Sequence, residues 1–517
     1  MDHIIQRQVI EINLDQEPKN GYQFQSDIID LIESEVMPKL GEWLDEVAPA
    51  NEYVMIDKLE LDLGVISPRM LNSELSDKIF ENFKQQIKGI IENSKTSNQS
   101  KSNIGKPKNQ TLSDALIFFL DTGTLPWWSP ETTVKKLTTY FVQETREFEW
   151  LVAQPGLYTL LKDDKKRQRF SSQLPTELIW QIIFPHPGFR PQIEIAQIKK
   201  SVFESLETAF DEINRWSPEN LERIFFSAIV ELTFTDSEEL FWQTIINSVS
   251  RKINKPKKTI VSVLLNRFTV KQAENKSFSI LDTLQKSLEK IEKQLGPAKS
   301  QGRKEQLMSG KIVNEDASLE TSTKSGENEK GGVDKKELQK RGRKKIWIPE
   351  EGLFIENAGL VLLWPYFGFF FKELELTKDD AFVSELTQQK AVCLMHWVAT
   401  KVLEPTEEQL IVPKLLCNWP IDEPLITDWQ FSEKEIRETE TLLKAVIKNW
   451  GALGNVSPDG LREGFIQRNG MLKPKDDDHW LLQIEQKTID VLLGKLPWGL
   501  GVVRLPWQDY IIHVEWG

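Results

Sequence analysis

The sequence predicts a predominantly α-helical, multi-domain protein with a small α/β block at its N-terminus. Its last domain is expected to be helical and to close with a short β-sheet or hairpin. Three observations carry this prediction. At 517 residues the chain is too long for one compact core. Apolar residues recur mainly at helical spacing and switch to alternation only near the two ends. Polar stretches without pattern interrupt the chain twice, as linkers do. Hydrophobic residues at 39% and charged residues at 28% suit a chain that folds in water. Seventeen tryptophans imply firmly anchored cores or adhesive interfaces, because each buried indole removes a large apolar area from solvent.

Residues 1–92 read as the α/β block, a βαβ-like unit. Alternation over residues 9–14 and again over 54–63, closed by Gly64, predicts two half-buried strands. Between them Phe24, Ile28, Leu31, Leu40 and Leu44 fall at helical spacing, with Pro38 placed to kink or split the helix. Behind Ser67-Pro68, a cap and first-turn proline, Leu71, Leu75, Ile79, Phe83, Ile87 and Ile90 form one apolar face. Residues 93–110 are polar and patternless and read as a linker.

Residues 111–250 read as short helices. Thr111 and Asp114 suggest a capping box, Leu112, Leu116, Phe119 and Leu120 a buried face, and Gly123 the stop. Ser129-Pro130-Glu131 suggests the next helix start, and further helices are expected near 174–184, 198–214, 218–232 and 237–250. Residues 251–345 read as a basic, largely disordered linker, with at most a transient helix through Ile280, Leu284, Leu288, Ile291 and Leu295. They hold 24 Lys and Arg against 12 Asp and Glu, which leaves a net −25 on the rest of a chain whose total is −13.

Residues 346–517 form the tryptophan-rich helical domain, with helices near 358–376, 380–403, 432–450 and 457–468. Leu482/Ile484, Val503/Leu505 and Ile511/Val514 lie in strand-like segments, and Pro506-Trp507-Gln508-Asp509 can turn the last two into a hairpin. Leu-Pro-Trp occurs at 125–127, 496–498 and 505–507. Proline holds the residue before it extended, so the neighbouring indole can wedge between elements or anchor an interface.

Catalytic chemistry has little to rest on. The five histidines, at 3, 186, 396, 479 and 513, stand in no recognisable catalytic context, and nucleophile-elbow, phosphate-loop and His-Glu-x-x-His patterns are missing. Gly499 and Gly501 are followed by Arg504 where a dinucleotide-binding turn needs a third glycine. Cys393 and His396, with Cys417 beyond, supply three of the four ligands that a structural zinc requires, and core packing accounts for them. Asp476-Asp477-Asp478-His479 reads as a solvated turn. No catalytic, cofactor-binding or metal residue is therefore assigned, and no cofactor.

The two cysteines and the polar N-terminus lead to a cytoplasmic expectation. The apolar run 358–371, broken by Pro365 and Gly368, falls short of the roughly 20 residues a membrane helix needs. Lys340-Arg341-Gly342-Arg343-Lys344-Lys345 could neutralise a few phosphates, but the acidic total and the lack of interleaved aromatics argue against nucleic acid.

Several ordered stretches resemble one family. They are Met55-Ile56-Asp57-Lys58-Leu59-Glu60-Leu61-Asp62-Leu63-Gly64, then Phe118-Phe119-Leu120-Asp121-Thr122-Gly123-Thr124-Leu125-Pro126-Trp127-Trp128. Next come Glu356-Asn357-Ala358-Gly359-Leu360-Val361-Leu362-Leu363-Trp364-Pro365-Tyr366-Phe367, Gln388-Gln389-Lys390-Ala391 and Lys414-Leu415-Leu416-Cys417. Trp450, Gly460-Leu461-Arg462-Glu463-Gly464-Phe465 and the ending from Leu496 to Trp516 complete the set. Together they resemble the tape measure proteins of bacterial contractile injection systems, phage-tail-like particles that drive a tube through a target membrane. The resemblance implies a structural protein, not an enzyme, that sets or helps to set tube and sheath length. It implies partners among the inner tube, baseplate or cap subunits, possible self-association, and residence in the particle after cytoplasmic assembly. The alternatives are an assembly chaperone or adaptor for the same particle, and a nucleic-acid-associated protein acting through the basic linker.

Overall fold

Pro38 shapes the first helical segment. It has no N–H to donate, and its ring clashes with the carbonyl four residues back. The chain does not split there. The Gly21–Leu31 helix widens into a π-helical turn at Ile32–Val36, where the Met37 N–H reaches Ile32 O, and continues as Met37–Val47. Ile28, Ile32, Val36 and Leu40 pack against Leu75 of the Leu71–Thr96 helix, and Trp43 meets Phe83 edge-on with ring centres 6.2 Å apart.

This computed structural model describes, apart from scattered positions inside these ranges, residues 21–47, 52–66, 71–96, 106–189, 192–274, 279–295 and 352–516, with a few positions among the first twelve. Two compact units divide the chain. One takes Met1–Phe189, Ile229–Asp236 and Ile348–Gly517, and the other Arg190–Ala228 and Ser237–Trp347.

The strand expected over 54–63 is corrected. Among its described residues only loop is found, and Leu63 spends its apolar side chain on the groove between the N-terminal helices. Residues 10–12 carry no regular structure, and the rest of 9–14 lies mostly outside the described residues. A short strand, Glu52–Tyr53, pairs antiparallel with Lys106–Pro107 inside the expected linker.

The next helix spans Lys108–Thr122, three residues ahead of the expected cap. Pro107, with ψ at 141°, stops it from starting sooner, and the Thr111 hydroxyl donates within the first turn to Pro107 O at 3.3 Å. Gly123, at φ 83°, ends the helix as expected. The start expected at Ser129 moves to Val134–Gln143, and the Ser129 hydroxyl donates to Glu131 O at 2.7 Å. Helices Pro155–Leu160, Asp164–Gln173 and Thr176–Ile183 follow, the second capped by the Asp163 carboxylate.

In the second unit the linker expectation fails over its first half. Helices Lys257–Glu274 and Ser279–Gln294 pack with Gln192–Ala209 and Glu238–Ile253. Ile260, Val261, Leu264, Leu284 and Leu288 are fully buried or nearly so, and Trp242 Nε1 donates to Leu284 O at 2.7 Å. The basic, polar composition of 251–345 taken as a whole hides these apolar stripes. Residues 296–351, with the rest of that linker and the 340–345 basic run, lie outside the described residues.

The C-terminal domain combines helices Trp364–Glu373, Glu385–Thr400, Ile411–Leu416 and Glu433–Asn449 with a five-stranded sheet. Its strands lie in the order Leu353–Ile355, Gly470–Asp476, His479–Ile484, Ile511–Glu515, Val502–Val503. Only His479–Ile484 and Ile511–Glu515 run parallel. In register, Leu353, Leu472, Leu482 and Val514 form one buried row across four strands. Val503 pairs with Ile512, so the expected terminal hairpin is present. Gly359 is required where it stands: a Cβ there would lie 1.8 Å from Phe465 O. Among the described residues no helix is long and apolar enough to cross a membrane.

Candidate functional site

Several buried polar groups of the first unit converge on Glu407. At the start of the short Glu407–Leu410 turn the Thr406 N–H donates to Gln409 Oε1 at 3.2 Å and the Gln409 N–H to Thr406 O at 3.1 Å, and this places the Glu407 carboxylate inside the protein at 3% exposure. A buried carboxylate needs compensating charge. Arg169, buried on the Asp164–Gln173 helix, supplies it with two bonds, Nε to Oε2 at 2.7 Å and Nη2 to Oε1 at 3.1 Å. Lys414, fully buried on Ile411–Leu416, adds a third from Nζ at 2.8 Å. Burial raises the Glu407 pKa, but Lys414 and then Arg169 overcome it and hold the group below its ordinary value. The cluster sets two basic side chains against one carboxylate, and burial lowers the Lys414 pKa against the pull of Glu407. Arg169 spends its remaining donors on Leu120 O, Asp121 O and Asp422 O, and Lys414 donates to Ile421 O.

Further polar contacts surround it. The Glu407 N–H donates to Gln173 Oε1 at 2.8 Å, and Lys165 pairs with Glu423. The Val134 N–H, at the start of its helix, donates to Glu408 Oε1 at 3.1 Å. Burial pushes the Glu408 carboxyl up. Gly123 completes the joint: a Cβ there would meet Glu407 Oε1 at 2.7 Å and Arg169 Nη2 at 2.9 Å. The Asp121-Thr122-Gly123-Thr124 and Lys414-Leu415-Leu416-Cys417 stretches, far apart in sequence, therefore meet at one carboxylate.

The residues weighed for chemistry lie elsewhere. Cys393 and His396 are buried on the Glu385–Thr400 helix, and the Cys393 thiol donates to Ile426 O at 3.4 Å. Burial pushes both the Cys393 and Cys417 thiols up. Neither His396 ring nitrogen has a hydrogen bond of normal geometry, and burial lowers its pKa to about 4 against a weaker pull from the Gln409 backbone. Asp476 accepts from or pairs with His479 Nδ1 at 2.6 Å on an exposed turn. Among the described residues no group of three His, Cys, Asp or Glu side chains could hold a metal ion.

Two tryptophans of the Leu-Pro-Trp repeats act as wedges. Trp498 Nε1 donates to Leu362 O at 3.1 Å and Trp507 Nε1 to Leu416 O at 2.9 Å, while Trp127 lies outside the described residues. Gly499 O accepts from Trp364 Nε1.

Sequence reasoning missed Arg169, Glu407 and Lys414. One signal pointed to them: Lys414 interrupts the apolar run Leu410-Ile411-Val412-Pro413 and Leu415-Leu416, and a lysine buried there needs a carboxylate.

A family model described as contractile injection system tape measure protein matches residues 2–516. No curated protein matches the chain, and no solved structure does.

Proposed function

Since the chain belongs to the contractile injection system tape measure protein family, we propose that it sets, or helps to set, the length of the tube and sheath as the particle is built. On this reading it is a non-catalytic subunit that touches inner tube, baseplate or cap subunits, assembles in the cytoplasm and stays in the finished particle. The observation that carries the reading is the extent of the family match, which runs over residues 2–516. The interior suits a structural subunit as well: the charged cluster at Glu407 holds distant segments together.

The test is quantitative mass spectrometry of purified, mature particles. A tape measure subunit is recovered at a fixed ratio to the tube subunit. Recovery from the lysate but never from mature particles would replace this reading with that of an assembly chaperone or adaptor.

A further inference from the structure

We propose that the Arg169–Glu407–Lys414 joint is a latch, closed in the free subunit and opened when the chain is drawn out during assembly. The inference rests on the assembly role above and adds a conformational step to it. Arg169 and Glu407 are 238 residues apart, so their pairing closes the chain on itself. A chain laid out along a tube cannot keep that contact.

Two features show a joint built to part. First, the apolar core of the C-terminal domain is complete without the helices of residues 108–189: its cluster, including the half-buried residues packed on it, is drawn from residues 353–516. The segments therefore meet beside a finished core. Second, ionic and amide contacts bridge the joint. Arg169 holds Glu407, Lys165 holds Glu423, and two backbone amides, Val134 and Glu407, donate across it to Glu408 and Gln173. Buried ion pairs contribute less stability than apolar groups of the same volume, yet they fix one register, because a displaced partner leaves a bare charge. On opening, water takes up the exposed charges, whereas an apolar joint would expose adhesive surface.

Hydrogen exchange on the purified full-length protein reads the latch through its two cross-joint amides. In the wild type, the Val134 and Glu407 amides are expected to open together, at least tenfold more often than the intrahelical amides of Phe141 and Met395. Arg169→Ala, which touches neither amide's acceptor, should raise both cross-joint rates a further tenfold and leave Phe141 and Met395 unchanged. If the cross-joint amides open no more often than Phe141 and Met395 in the wild type, the joint is part of one cooperative fold and the latch is wrong. The same holds if the variant accelerates all four alike or leaves Val134 unmoved. Because no particle enters this experiment, its outcome is independent of whether the chain sets length.

Discussion

Removing the Glu407 carboxylate strands two buried cations. Glu407→Ala should cost about 3–5 kcal/mol, the usual penalty for breaking a buried ion pair from one side, measured by urea unfolding at pH 7. The contribution of Glu407 has a defined pH window. Its folded pKa lies below the ordinary 4.5, so its stabilisation is present above pH 4.5 and is lost as pH falls through the folded value. His396 works over a higher window. An unfolded histidine takes up a proton near pH 6.5, but the buried ring resists until about pH 4. Between those values stability should fall with acidification by on the order of 3 kcal/mol and then level off. His396→Leu should flatten that part of the profile; an unchanged slope between pH 6.5 and 4 would show that other groups carry it.

At the scale of elements, two glycines with the same backbone sign separate conformational cost from packing cost. Gly64 at φ 61° has open space where a Cβ would go, whereas Gly123 at φ 83° has Glu407 and Arg169 there. Gly64→Ala should cost about 1 kcal/mol from the left-handed backbone alone. Gly123→Ala should cost about 2 kcal/mol more, because the joint must shift. Equal losses in thermal or urea unfolding would mean that the joint gives way freely. Elements with a strong local signal were legible in the sequence. Leu112, Leu116, Phe119 and Leu120 mark a buried helix face that Gly123 ends, and the hairpin around Pro506-Trp507 announces itself by alternation and turn residues. The strands Leu353–Ile355 and Gly470–Asp476 were not legible. The first is three residues long, and the second, with Lys473, Pro474 and Lys475, does not alternate. Helix Lys257–Glu274 was obscured because it sits at the head of a stretch, 251–345, whose overall composition is basic and polar. Arg169 and Glu407 could not be paired from sequence at all, since nothing local links residues so far apart.

At the scale of the molecule, the family supplies the role and the fold supplies a constraint on how it is performed. A single helix of this length would reach about 775 Å, but the first unit folds residues 108–189 and 352–516 together, which rules out such a rod for the closed chain. Once the latch opens, length would be set by the part of the chain between the segments it had joined. Sequence reading marks residues 251–345 as a linker, and the helices to Gln294 narrow the length-setting proposal to 296–345, whose composition offers little to bury. Duplicating residues 296–345 and measuring assembled particles by electron microscopy tests the length-setting role directly. The account predicts particles longer by up to about 165 Å, the reach of 50 added residues in extended form. Well-formed particles of unchanged length would contradict it.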